Sequence, residues 1–307
     1  MSEKIEIPGS ANERYRPLKE VGKGKDGTVF LTIKRDKATR PYELQALKVP
    51  DAQAKVVSFL KTELIVLIQA QFENFASRQD HSGWPLPKIL GVSPNRTWYV
   101  MDHVGGCDIQ SLLRNGFYDG LPPSLMFRIL NQVYKYSMHL QHQGLYHSDL
   151  ATGGNVMLHR SRSEQNFSIT LIDFEGVKST SDINERKMHP IVKLARAMTR
   201  GKNLVPKGYQ QRRATSTFEE RDLEDADQIY SRIGELYNKN TWPDGDSMER
   251  FWGEWGDRTK ELAETMEDKR LVKDIDDLLQ TEEEETENNV KEKVTDAGLD
   301  KEVLGVE

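Results

Sequence analysis

The chain has 307 residues, a formal net charge of −6, and 36% hydrophobic against 30% charged residues. That length supports a substantial core in one large or two ordinary domains and excludes a mini-protein held by staples. Cys107 is the only cysteine, which excludes an intrachain disulfide and a thiolate zinc cluster, and the modest apolar content predicts that part of the chain stays solvated.

The charge is unevenly placed. Residues 276–307 hold 12 Asp/Glu and 3 Lys/Arg, a net of −9, which leaves +3 for residues 1–275. With Glu282 to Glu285 at its centre and no aromatic residue, the acidic segment has the composition of a disordered tail or a solvated helix, and a solubilising role is its plainest reading. The first residues lack an apolar signal segment, and the longest aliphatic run is only Leu64 to Ile68. A soluble, intracellular, cytoplasmic protein with no membrane partner is therefore expected, the nucleus also being open.

After a polar arm over 1–14, residues 15–22 and 28–34 read as strands joined by a glycine-rich turn, because Val29, Leu31 and Ile33 alternate with Thr28, Phe30 and Thr32. A third strand is predicted over 43–49. Residues 56–75 lack Gly and Pro and repeat apolar side chains at helical spacing through Val57, Phe59, Leu60, Leu64, Leu67 and Ile68, predicting a long amphipathic helix. Two more strands, over 88–92 and 96–100, complete a first lobe spanning 15–101. The pattern is again helical over 125–142, with a glycine stop at Gln143-Gly144. Strands over 156–159 and 168–174 flank a polar insert, and 191–279 is mostly helical in pattern. The expected fold class is thus α+β: a five-stranded antiparallel sheet with one long helix, then a mainly helical lobe over 102–279, then an acidic, disordered tail over 280–307.

Chemistry-bearing residues fall within this frame. Gly22-Lys23-Gly24-Lys25-Asp26-Gly27-Thr28-Val29 lies between two predicted strands, where glycines let backbone amides approach phosphate oxygens; a plain hairpin loop explains it equally well. Lys48, in Ala46-Leu47-Lys48-Val49, is an isolated lysine in a buried-looking strand, and such a lysine ordinarily snorkels to the surface. Glu63, 15 residues later on the predicted helix, is either its carboxylate partner or an ordinary solvated glutamate. At this point the sequence resembles a protein kinase, and the expected fold becomes a bilobal protein-kinase-like fold, in which a strand lysine pairs with a helix glutamate to position nucleotide phosphates.

The resemblance continues in order along the chain. Tyr99 to Ile109 looks like the kinase hinge, which implies that backbone near Asp102 to Val104 holds adenine, that Asp108 contacts ribose and that Met101 is the gatekeeper. His147-Ser148-Asp149 with Asn155 resembles the catalytic loop, implying Asp149 as base for the acceptor hydroxyl and Asn155 as a Mg²⁺ ligand. Ile172-Asp173-Phe174-Glu175-Gly176 resembles the metal-binding segment, with Asp173 bridging Mg²⁺ to the phosphates. The implied cofactors are ATP and Mg²⁺. The implied function is a phosphotransferase, first a Ser/Thr protein kinase, with a small-molecule kinase or a nucleotide-binding pseudokinase as alternatives; a protein or small-molecule hydroxyl is the implied partner, and nucleic acid is not expected. Nucleotide-binding residues would be Gly22, Gly24, Gly27, Val29, Lys48, Asp102, Val104 and Asp108.

Four departures fall mainly on the substrate side. Ser148 replaces the arginine that receives an activation-loop phosphate in many protein kinases. Asp149 to Asn155 is a step of six where five is usual, and Ala151 stands where Ser/Thr kinases carry a lysine. Glu175 occupies the place of a glycine, with Gly176 one position later, and no Ala-Pro-Glu motif follows. Outside the motifs, residues 186–213 carry 9 Lys/Arg and no Asp/Glu, a basic helix face or a surface onto which the acidic tail could fold. Arg212-Arg213-Ala214-Thr215-Ser216-Thr217 resembles a basophilic kinase site, or is an unmodified loop. His139, His142 and His147 read as structural rather than metal-binding, and Phe251, Trp252 and Trp255 as core rather than stacking platforms for bases.

Overall fold

The alternation of apolar residues after Arg14 produces strand β1 (Tyr15–Lys23), followed by β2 (Gly27–Lys34), β3 (Gln45–Pro50), β4 (Ile89–Val92) and β5 (Tyr99–Asp102). In the computed structural model of the chain these form one antiparallel sheet in the order β1-β2-β3-β5-β4. The structure describes residues 6–24, 27–35, 43–50, 63–64, 67, 86–115, 117, 120–150, 153–160, 167–179, 190–199, 218–238, 245–266 and 269–296. The expected helix over 56–75 lies largely outside them; within it, Glu63, Leu64 and Leu67 are helical and buried.

Register assigns side chains to the two faces of this sheet, since directly paired residues point the same way and neighbours along a strand point oppositely. Val29 pairs with Lys48, Leu31 with Ala46 and Ala46 with Met101, so these residues share one face. Phe30, Leu47 and Val100 share the other, where they pack with Tyr15, Trp98 and Ala11. The polar arm expected over 1–14 takes part in this packing. Its residues Gly9–Asn12 form a short helix α1, Ala11 is fully buried, and the Trp98 indole N–H donates to Ser10 Oγ at 3.0 Å. A small residue at position 11 lets this turn sit on the Tyr15 and Trp98 rings, which themselves meet edge to face at 5.7 Å.

The chain divides into two compact units. The first comprises Met1–Gly105, Asp173–Glu175 and Gln280–Glu307, and the second Gly106–Ile172 and Gly176–Leu279. Residues 102–105, 173–175 and 280–307 group with the first unit, where the sequence-based division sets 102–279 in the second lobe and 280–307 in a tail.

The second unit contains β6 (Cys107–Asp108), α2 (Ile109–Asn115), α3 (Pro123–His142), β7 (Leu145–His147), β8 (Val156–Arg160), β9 (Phe167–Leu171), β10 (Val177–Ser179), α4 (Pro190–Thr199), α5 (Glu220–Asn238) and α6 (Gly245–Thr265). Its centre is α3, which starts with Pro123 at its first turn, where the missing N–H costs nothing. The helix buries Met126, Ile129, Leu130, Val133, Tyr136 and Leu140. Phe127 stacks on Tyr230 of α5 at 5.4 Å, Tyr134 stacks on Trp252 of α6 at 4.1 Å, and Phe251 is buried, so these aromatics serve packing. The strand expected over 168–174 ends earlier, at Leu171, and Phe174–Gly176 is a 3-10 turn.

Helix α7 (Lys269–Asp296) corrects the expectation of a disordered tail, because residues 280–296 are helical. Ile275, Leu279 and Val290 are buried at helical spacing, which supplies the apolar contact that the acidic composition alone did not suggest. Val290 packs with Leu18, Leu31 and Ile33 of the first sheet. No helix among the described residues is long and apolar enough to cross a membrane.

Candidate active site

Lys48 lies within β3 and is only 6% exposed, so its ammonium needs a partner inside the protein. It has two. Nζ donates to Glu63 Oε2 at 2.9 Å and to Asp173 Oδ1 at 2.8 Å. Glu63 is 1% exposed, and its second oxygen accepts the backbone N–H of Phe174 at 2.9 Å. Burial pushes the Glu63 carboxyl above its ordinary pKa, while the Lys48 charge pulls against that shift. Asp173 differs in character: its side chain is 42% exposed, and its backbone holds a left-handed φ of 61°, a conformation that aspartate tolerates better than most residues. The arrangement therefore presents a lysine fixed from behind by a buried carboxylate and, on its other side, a carboxylate open to solvent.

The glycine-rich turn between β1 and β2 separates into glycines that the fold requires and glycines that it does not. A Cβ on Gly27 would meet Val49 O at 2.5 Å, so the approach of β2 to β3 demands glycine there. Around Gly22 such a Cβ would meet nothing within 4 Å. Gly24 N–H donates to Gly27 O at 2.9 Å, closing the turn. Gly27→Ala is therefore expected to cost about 2 kcal/mol in urea unfolding through overpacking, while Gly22→Ala stays within about 0.5 kcal/mol. Equal costs would show that the turn needs both glycines for the fold alone.

In the second unit, Asp149 is exposed and sits in the loop after β7. Asn155 reaches it despite the six-residue step: Nδ2 donates to Asp149 O at 2.8 Å and to Asp149 Oδ2 at 3.2 Å. The extra residue is absorbed at Gly153, which has φ of 77° and whose N–H donates to Leu150 O at 3.2 Å. A Cβ there would also press on the Ile109 side chain at 3.0 Å. Ser148 binds the following segment from both its backbone and its hydroxyl, donating to Gly176 O at 2.8 and 2.7 Å. That clasp explains the glycine displaced to position 176, since a Cβ there would lie 2.9 Å from Asp149 Cβ.

The chain after β5 contains the expected adenine segment. Asp102 N–H donates to Lys88 O at 2.9 Å, and burial pushes the Asp102 carboxyl up and the His103 imidazole down. Val104 is half-buried. Asp108 serves as the cap of α2: its Oδ1 accepts Ser111 N–H at 2.8 Å and its Oδ2 accepts the Ser111 hydroxyl at 2.6 Å. Val29 shares its sheet face with Lys48. Residues 200–217, with Thr215, Ser216 and Thr217, lie outside the described residues, as does most of the basic stretch.

No protein-family model and no curated protein sequence matches this chain. The geometry brings Lys48, Glu63 and Asp173 together in one unit, and Asp149 and Asn155 together in the other. Sequence reasoning missed the Phe174 amide on Glu63 and the Ser148 clasp, because backbone donors and single hydroxyls leave no residue-type signature.

Proposed function

We propose that the chain is a Mg²⁺- and ATP-dependent phosphotransferase of protein-kinase type, acting on a hydroxyl. The observation that carries this reading is the buried Lys48 held between Glu63, 15 residues later, and the half-exposed Asp173, 125 residues later. A buried lysine whose orientation is fixed by one carboxylate suits the α- and β-phosphates of a nucleotide. The donor chemistry fits the metal. Asp173 in the first unit and Asn155 in the second would each offer a hard oxygen ligand of the kind Mg²⁺ takes alongside phosphates. When bound, Mg²⁺ supplies charge neutralisation at the phosphates.

The chain's own residues do the rest. Lys48 orients the phosphates, Glu63 holds Lys48, and the Gly22 to Val29 turn offers backbone amides. Asp149 accepts the proton of the acceptor hydroxyl as its oxygen bonds to the γ-phosphorus and the bond to the β–γ bridging oxygen breaks, releasing ADP. Asn155 restrains the Asp149 carboxylate through Oδ2. A protein Ser/Thr hydroxyl is the first choice of acceptor, because the glycine turn and hinge resemble protein kinases most closely.

Incubation with γ-labelled ATP, Mg²⁺ and either a protein or a metabolite extract tests this. Label is expected in the protein fraction, and label in the metabolite fraction alone would move the acceptor to a small molecule. Lys48→Met should lower transfer by about 100-fold or more. Absence of Lys48-dependent ATP binding in the wild type would overturn the reading.

A further inference from the structure

The C-terminal helix α7 reaches the proposed nucleotide site on the first unit. Val290 packs against Leu18, Leu31 and Ile33, and Leu31 and Ile33 lie on the sheet face that also carries Val29, Ala46 and Lys48. The opposite face is taken by Ala11, Tyr15 and Trp98. Helical spacing from Val290 back through Thr286 brings Glu283 to the inner side, and it is half-buried while Glu282, Glu284 and Glu285 are exposed. Its Oε1 stands beside the chain that leaves β5: a Cβ built on Gly105 would lie 4.0 Å from it. Gly105 directly follows the Asp102 to Val104 segment.

A nucleotide whose base lies along Asp102 to Val104 and whose phosphates lie at Lys48 has its sugar between them. The residue expected at the sugar was Asp108, yet each of its carboxylate oxygens already accepts a hydrogen bond from Ser111. A carboxylate is the usual acceptor for ribose hydroxyls, since it takes both protons without competing donors.

We propose that Glu283, delivered by α7 to the Gly105 edge, accepts the ribose hydroxyls of the bound nucleotide and makes the site selective for ribonucleotides. This rests on the nucleotide-binding reading above. It also gives the acidic segment a binding role: the helix is a wall of the site, and one glutamate of its run is turned inward for use.

Equilibrium binding of ATP, 2′-deoxyATP and 3′-deoxyATP with Mg²⁺ to the full chain tests the proposal. The wild type should prefer ATP. Glu283→Ala should weaken ATP binding about tenfold and bring the three ligands within about twofold of one another, with Glu283→Gln intermediate because it keeps a neutral acceptor. Glu282→Ala, one residue away and solvent-facing, should retain the preference. A preference that survives Glu283→Ala, or one that disappears in Asp108→Ala while Glu283→Ala keeps it, overturns the role of Glu283 and leaves nucleotide binding standing. Failure of the wild type to bind ATP in a Lys48-dependent manner overturns both.

Discussion

Asp173→Ala is expected to abolish Mg²⁺-dependent phosphoryl transfer, by on the order of 10³-fold, while leaving the protein folded. The two halves of that expectation have separate causes. Asp173 is the solvent-accessible carboxylate beside Lys48, with Oδ1 on the ammonium, so its removal takes away the oxygen proposed as a Mg²⁺ ligand, next to the lysine proposed to hold the phosphates. Stability should change by only about 1 kcal/mol, because a pair with one exposed member is worth little and Lys48 retains Glu63 at 2.9 Å. The left-handed backbone gives a sharper version. Asp173→Gly removes the carboxylate but suits φ of 61°, so it should be equally inactive and at least as stable as the alanine variant. The measurements are labelled-phosphate transfer and thermal midpoint on the same preparations. Equal transfer rates in wild type and Asp173→Ala would place the activity elsewhere in the molecule or in a contaminant.

The largest stability effect is expected in the second unit, at Arg258 of α6. Its guanidinium spans two helices, donating from Nη2 to Asp222 Oδ1 and from Nε to Asp225 Oδ2, each at 2.6 Å, and pairing with Glu261 through Nη1 at 2.7 Å. The Arg258 and Asp222 side chains are 12% and 10% exposed, so Arg258→Ala strands a buried carboxylate. Loss of one partner of such a pair costs about 3 kcal/mol, chiefly from the charge left behind. Glu261, 57% exposed, should cost less than about 1 kcal/mol when replaced by alanine. Urea unfolding of both variants compares the two. Similar midpoints would mean that Asp222 and Asp225 find water when the arginine is gone.

Both effects bear on legibility. Lys48 was readable because an isolated lysine in a buried-looking strand is anomalous, whereas Glu63 on an amphipathic helix gained meaning only as the partner that the resemblance to a protein kinase implies. Arg258 was not readable: Asp222 and Asp225 are ordinary helix-surface residues in sequence, and only the packing of α5 against α6 buries Asp222 and brings both carboxylates onto the guanidinium. The three short strands β6, β7 and β10 were missed for a related reason. Segments of two or three residues carry no period, and the β7–β10 pairing of Tyr146 with Lys178 is a long-range event. Asp149 and Asn155 were legible as residues, but their meeting across a six-residue step depends on Gly153 adopting a left-handed turn.

The acidic segment shows the division most clearly. Composition alone established that residues 276–307 carry a net of −9 and lack aromatics, since charge and residue type are properties of the chain before it folds. The strand alternation of the first sheet and the helical period of α3 were likewise local, because backbone geometry imposes them residue by residue. Tertiary packing was needed to join Val290 to Leu18, Leu31 and Ile33, to set Glu283 Oε1 beside Gly105 and to bring Asp173 to Lys48. Those contacts depend on surfaces that exist only after strands have paired and register has sorted their side chains onto two faces. Val290 then supplies the apolar contact of the charged helix with that sheet.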